Sequence, residues 1–153
     1  MSQFYKQLSF STLIVITLLF FSALTNASDL EAGKISVKQA HELSKKGEIT
    51  LIDIRSIEEW QQTGVAPQAV PITIHQKGGI PTFSKQLLNL LDGDKTKPVA
   101  LICAGGVRSA RVQKFLIKQG FSNVTDVTEG MVGGWFSKGW VDQGLPVKGY
   151  NNQ

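Results

Sequence analysis

Cysteine is almost absent from this chain of 153 residues. The single one, Cys103, can form no internal disulfide, so its thiol must be explained by packing as a small hydrophobe or by chemistry. Histidine is nearly as scarce. His41 and His75 lie far apart without metal-ligand spacing, so both read as surface residues and no metal site is expected. Long apolar runs are also missing: the most apolar stretch, Leu13 to Leu24, has about twelve residues, against the roughly twenty a membrane-spanning helix needs. Nor is positive charge concentrated. The net charge is +4, Lys45-Lys46 is the one adjacent basic pair, and no aromatic stripe accompanies it, which argues against a nucleic-acid partner.

What is present begins with the flanks of that apolar stretch. Lys6 is the only charged side chain before Asp29, and the stretch ends in Ala-Leu-Thr-Asn-Ala, with small residues at Thr25 and Ala27. A basic start, a short apolar centre and a small-residue end form a secretory signal peptide pattern, with cleavage expected after Ala27. The expected organisation is residues 1–27 as signal peptide and 28–153 as one domain, exported to the periplasm or beyond, with no stable membrane insertion after cleavage. An uncleaved anchor is the alternative. The 42% apolar and 18% charged composition suits one ordinary globular domain.

From Ser28 onward short apolar runs alternate with helical patterns, which predicts a single α/β unit. Ser36 with Gln39 and Ser56 with Glu59 are capping boxes opening two helices, the first reaching Gly47 and the second ending at Gly64. Strands are expected at Ile49 to Ile54, Val70 to Ile74, Val99 to Cys103 and Asn123 to Val127. Pro81 suits the first turn of a helix that runs to Asp92-Gly93, and Ser109 to Gln119 carries a helical stripe closed by Gly120. A short aromatic helix or turn is expected after Gly134, and the tail beyond Gly144 has no strong pattern.

The chemistry concentrates at Cys-Ala-Gly-Gly-Val-Arg-Ser, residues 103–109. Cys103 ends a continuously apolar strand, and the next helix opens at Arg108-Ser109. Ligands bind at that edge of a parallel sheet. Gly105 and Gly106 let the chain fold tightly and turn several backbone N–H groups inward at a helix N-terminus, an anion cradle that stabilises a thiolate. Arg108 adds a fork of donors suited to a sulfonate, sulfate or phosphate group. A plain βα turn with a solvated arginine is the alternative, but it leaves the meeting of thiol, glycines and arginine unexplained.

Four segments in order make the sequence resemble the rhodanese family: Leu-Ile-Asp-Ile-Arg with Glu59-Trp60 and Gly64; Ala69-Val-Pro-Ile; the Cys103 loop; and Gly133-Gly134-Trp135 followed by Gly-Leu-Pro-Val. The resemblance implies a three-layer α/β fold with a central parallel five-stranded sheet flanked by helices. It also implies a cysteine that takes sulfane sulfur from thiosulfate or a similar donor and yields it to a thiophilic acceptor such as cyanide or a thiol. Phosphatase relatives have Cys-x5-Arg, whereas this chain has the sulfurtransferase spacing Cys-x4-Arg. It departs at Gly64-Val-Ala-Pro-Gln-Ala, where many members read Gly-His-Ile-x-Gly-Ala.

The expected site is therefore Cys103 as nucleophile, with Ala104, Gly105, Gly106, Val107, Arg108 and Ser109 cradling the donor and Arg108 orienting its anionic end. Asp53 and Arg55 support it from the neighbouring strand end. Asp53 is expected in an ion pair with a nearby arginine, and Arg55 either contacts substrate or pairs with Glu58 or Glu59. No cofactor is required. The partners are a small anionic sulfur donor and a thiophilic acceptor, with a protein acceptor as the variant in which the domain delivers sulfur to an exported partner. Trp135 and Trp140 read as core or rim aromatics.

Overall fold

The computed structural model describes residues 33–151; the signal-peptide reading of residues 1–27 lies outside them. Five strands form one sheet: β1 (Lys34–Ile35), β2 (Thr50–Asp53), β3 (Val70–Pro71), β4 (Val99–Ile102) and β5 (Val124–Val127), in the order β1-β5-β4-β2-β3. Every pairing in it is parallel. The connecting helices are α1 (Val37–Lys45), α2 (Ile57–Thr63), α3 (Gly79–Leu90) and α4 (Val107–Lys118), and a small antiparallel hairpin, β6 (Gly133–Gly134) and β7 (Ser137–Lys138), follows β5.

A parallel sheet covered on both faces buries its strands throughout, and β4 and β5 are buried at every residue, the polar Thr125 and Asp126 of β5 included. Because side chains alternate along a strand, successive residues enter two separate cores. Leu51, Ala100 and Ile102 join Ile35, Val37, Ala40, Val127, Met131 and Trp140 on one face. Ile52, Leu101 and Cys103 join Phe83, Leu87, Val112 and Leu116 from α3 and α4 on the other. Cys103 therefore points to the α3–α4 face because it lies two residues beyond Leu101.

Both capping boxes form as the sequence requires, with Ser36 and Gln39 opening α1 and Ser56 and Glu59 opening α2. Two expectations need correcting. The first strand is β1, ahead of α1; two residues of which only Ile35 is buried leave no readable alternation. The third strand is only Val70–Pro71 at the sheet edge, although the Ile72 and Ile74 N–H groups still donate to the Asp53 and Ile54 carbonyls beyond it. The aromatic segment after Gly134 takes the turn form the sequence allowed: Trp135 and Phe136 are the tip of the β6–β7 hairpin and are fully exposed, while Trp140 is fully buried in the core. The tail also gains order, with Val65 and Lys148 exchanging two backbone hydrogen bonds.

Candidate active site

Cys103 follows directly on β4, with residues 104–106 as the turn into α4. Its Sγ accepts hydrogen bonds from the Gly106 amide at 3.2 Å and from the Ser109 hydroxyl at 3.3 Å. Gly106 is the N-cap of α4 and has φ 83°, a left-handed conformation. A Cβ there would also run into the Thr128 carbonyl, and one on Gly105 would come within 2.7 Å of the Gly133 carbonyl. The paired glycines thus let the loop lie flat against the segment after β5. That segment holds it in turn: Met131 N–H donates to the Cys103 carbonyl at 2.8 Å, and Val132 N–H to the Ala104 carbonyl at 2.9 Å.

The two arginines are placed differently from expectation. Arg108 does not extend freely into the cradle; its guanidinium forks onto Glu59, with Nη1 2.8 Å from Oε2 and Nη2 2.5 Å from Oε1, and Nη1 also lies 2.8 Å from His75 Nε2. The Glu59 carboxylate simultaneously accepts from the Ser56 amide that it caps. The Arg108 hydrogen bond, supported by that amide, holds Glu59 down at a pKa of about 2 against burial, and Glu59 raises Arg108. His75, expected as a plain surface residue, is exposed but joins this cluster.

Arg55 is 1% exposed and spends its donors inside the protein. It does not pair with the carboxylate of Glu58 or Glu59. Nε and Nη2 clasp Asp53, Nη1 donates to Thr63 Oγ1 at 2.7 Å and to the Glu59 carbonyl, and Nη2 donates to the Gly64 carbonyl at 2.7 Å. These contacts occupy its five donors. Asp53 is the expected partner of an arginine, and the pair ties the end of β2 to both ends of α2, the helix that presents Glu59 to Arg108. A buried pair of this kind fixes geometry more than it adds stability.

A model of the Rhodanese-like domain matches residues 36–136, about two thirds of the chain. The chain belongs to the rhodanese-like family. A rhodanese-like domain-containing protein of Arabidopsis thaliana is 32% identical over 130 residues, covering 81% of this chain and 78% of that protein. Among solved structures, a rhodanese-like domain protein from Staphylococcus aureus superposes with a TM-score of 0.54 at 28% identity, covering 75% of this chain and 97% of that one. A thiosulfate sulfurtransferase from Pseudomonas aeruginosa shares the fold with a TM-score of 0.59 at 19% identity, over 76% of this chain and 20% of its own.

In this rhodanese-like domain the structure brings Cys103, Gly106 and Ser109 into direct contact and sets Arg108 beside them in an ion pair. Val107 points outward, 82% exposed. Two participants escaped the sequence reading. One is Glu59 as the partner of Arg108, 49 positions away, because its capping-box role already accounted for it. The other is Asp126, 2% exposed beneath Ser109 with an unpartnered Oδ1; burial raises its pKa and the Ser109 hydroxyl opposes that. A charged residue inside the expected strand Asn123 to Val127 was the available signal.

Proposed function

We propose that this domain is a sulfurtransferase that carries sulfane sulfur on Cys103, taking it from thiosulfate or a similar donor and giving it to a thiophilic acceptor. The observation carrying the reading is the convergence of the Gly106 N–H and the Ser109 hydroxyl on Cys103 Sγ. Donors aimed at sulfur stabilise it as an anion, and the reaction needs an anionic sulfur twice.

In the first displacement the thiolate attacks the outer sulfur of thiosulfate. The Cys103 S–S bond forms, the donor's S–S bond breaks, and sulfite leaves with the bonding electron pair. The persulfide anion then occupies the cradle. In the second displacement cyanide attacks the outer sulfur, forms a C–S bond and departs as thiocyanate, restoring the thiolate. This is covalent, ping-pong catalysis without a cofactor. Arg108 acts mainly by fixing the start of α4, since Glu59 already engages its fork.

Thiocyanate formation from thiosulfate and cyanide tests the proposal, with Cys103→Ser as the control. Activity is expected to vanish in that variant; retained activity would overturn the assignment. A sulfur-delivery role uses the same first displacement with a protein as acceptor.

A further inference from the structure

The helices covering the Cys103 face have a one-sided charge. Together α3 and α4 contain Lys85, Arg108, Arg111, Lys114 and Lys118 and no acidic residue. Arg108 is committed to Glu59. Arg111, Lys114 and Lys118 follow one another at spacings of three and four, so they share one helix face, and all three are exposed. Among the described residues none of the three forms an ion pair. Favourable placement near a helix C-terminus accounts for Lys118 in the last turn but not for the two cations in mid-helix.

These cations border two adjoining hollows of about 390 and 450 Å³ that share Arg111 and Phe115. The first follows α4 from Val107 to Lys118, and the second is floored by Ile74, Ile80 and Pro81. Val107 is the residue after Gly106, whose amide touches Cys103 Sγ, and Ile74 packs against the same core cluster as Cys103. The result is a groove with an apolar floor and an unpaired basic rim that begins at Val107, one residue beyond the amide that contacts Cys103 Sγ, and continues along α4 for about 16 Å.

We infer that this groove docks the sulfur acceptor, a protein that presents its thiol within an acidic, partly apolar segment. The inference rests on Cys103 being a sulfur carrier. The groove's length exceeds what a small thiol can fill, and its rim charge selects an anionic partner. A second copy of this chain would bring the same basic face and be repelled. A nucleic acid would match the rim but leave the aliphatic floor uncovered, and the groove has one aromatic where a stacking row would be needed.

Three synthetic peptides long enough to span α4 test this, each with one cysteine and two leucines and differing only in carrying glutamate, glutamine or lysine at the remaining positions. Full-length protein loaded with thiosulfate is offered each peptide, and loss of sulfur from Cys103 is followed by mass spectrometry, with 2-mercaptoethanol as an uncharged reference acceptor. The glutamate peptide is expected to take sulfur about tenfold faster than the glutamine peptide at low salt, an advantage that shrinks in about 0.5 M salt.

Combining Arg111→Glu, Lys114→Glu and Lys118→Glu is expected to make the lysine peptide the faster acceptor. The milder triple change to glutamine should erase the preference without inverting it. Equal rates for all three peptides on the unmodified protein, or a glutamate preference that survives both triple variants, would overturn the docking site. Tighter binding of a single-stranded oligonucleotide than of the glutamate peptide would reassign the groove to nucleic acid and also overturn it. Binding of serine-for-cysteine peptides, read by fluorescence anisotropy, needs no sulfur loading. If loading fails while the glutamate peptide still binds selectively, the sulfurtransferase reading falls and the acidic-partner surface stands; if binding is indifferent to charge, the surface falls by itself.

Discussion

At the scale of single residues, two carboxylates near Cys103 are held on opposite sides of their ordinary pKa. Glu59 is stabilised as an anion by Arg108, whereas Asp126 sits beneath Ser109 with its charge disfavoured by burial. The sign for Glu59 follows from linkage. Its folded pKa of about 2 lies below the ordinary glutamate value of 4.5, so its contribution to stability is present above about pH 4.5 and is lost as pH falls towards 2. Thermal unfolding followed across that window should therefore show a steeper loss for the native sequence than for Glu59→Gln, whose side chain cannot titrate. Equal slopes would mean that the Arg108 pair does not persist in solution. Cys103, Gly106 and Ser109 were legible in the sequence because they share one seven-residue segment. The Arg108 partner was not, because contacts between residues 49 positions apart leave no trace in local pattern.

At the scale of elements, legibility followed burial on both faces. The run Val99 to Cys103 and the stripe of α4 announced themselves because every strand residue, or every third or fourth helix residue, enters a core. Elements of two residues, such as β1 and the strands of the β6–β7 hairpin, carry too few side chains for a period. The sequence left the two tryptophans as core or rim, since aromatic content does not reveal which ring faces inward. Trp140 is fully buried, stacks edge-on against His41 at 5.4 Å between ring centroids, and donates its indole N–H to the Pro146 carbonyl at 2.9 Å. Trp135 and Phe136 bury nothing. Trp140→Ala is accordingly expected to cost about 3–5 kcal/mol in urea unfolding. The double change Trp135→Ala, Phe136→Ala should stay within about 0.5 kcal/mol. A comparable loss at both sites would show that the hairpin tip packs against something in solution.

At the scale of the whole molecule, the solitary cysteine and the N-terminal segment lead to one measurement. A persulfide beside a second thiol in the same chain can collapse to a disulfide, releasing its sulfur, but this chain has no second thiol. Sulfur loaded on Cys103 therefore persists until an external acceptor arrives, and the Gly106 and Ser109 donors stabilise it meanwhile. The basic start, short apolar centre and small-residue end of residues 1–27 separately lead us to propose export with cleavage after Ala27. Protein isolated from its own cells without reductant should then show the intact mass of a chain beginning at Ser28, with a fraction heavier by one sulfur atom. Cyanide should remove that increment, and Cys103→Ser should never carry it. A mass corresponding to the uncleaved chain would overturn cleavage after Ala27 alone and favour the uncleaved anchor. Absence of the increment even after incubation with thiosulfate would overturn the sulfur-carrier reading alone, because the two claims rest on different residues and reach the same spectrum independently.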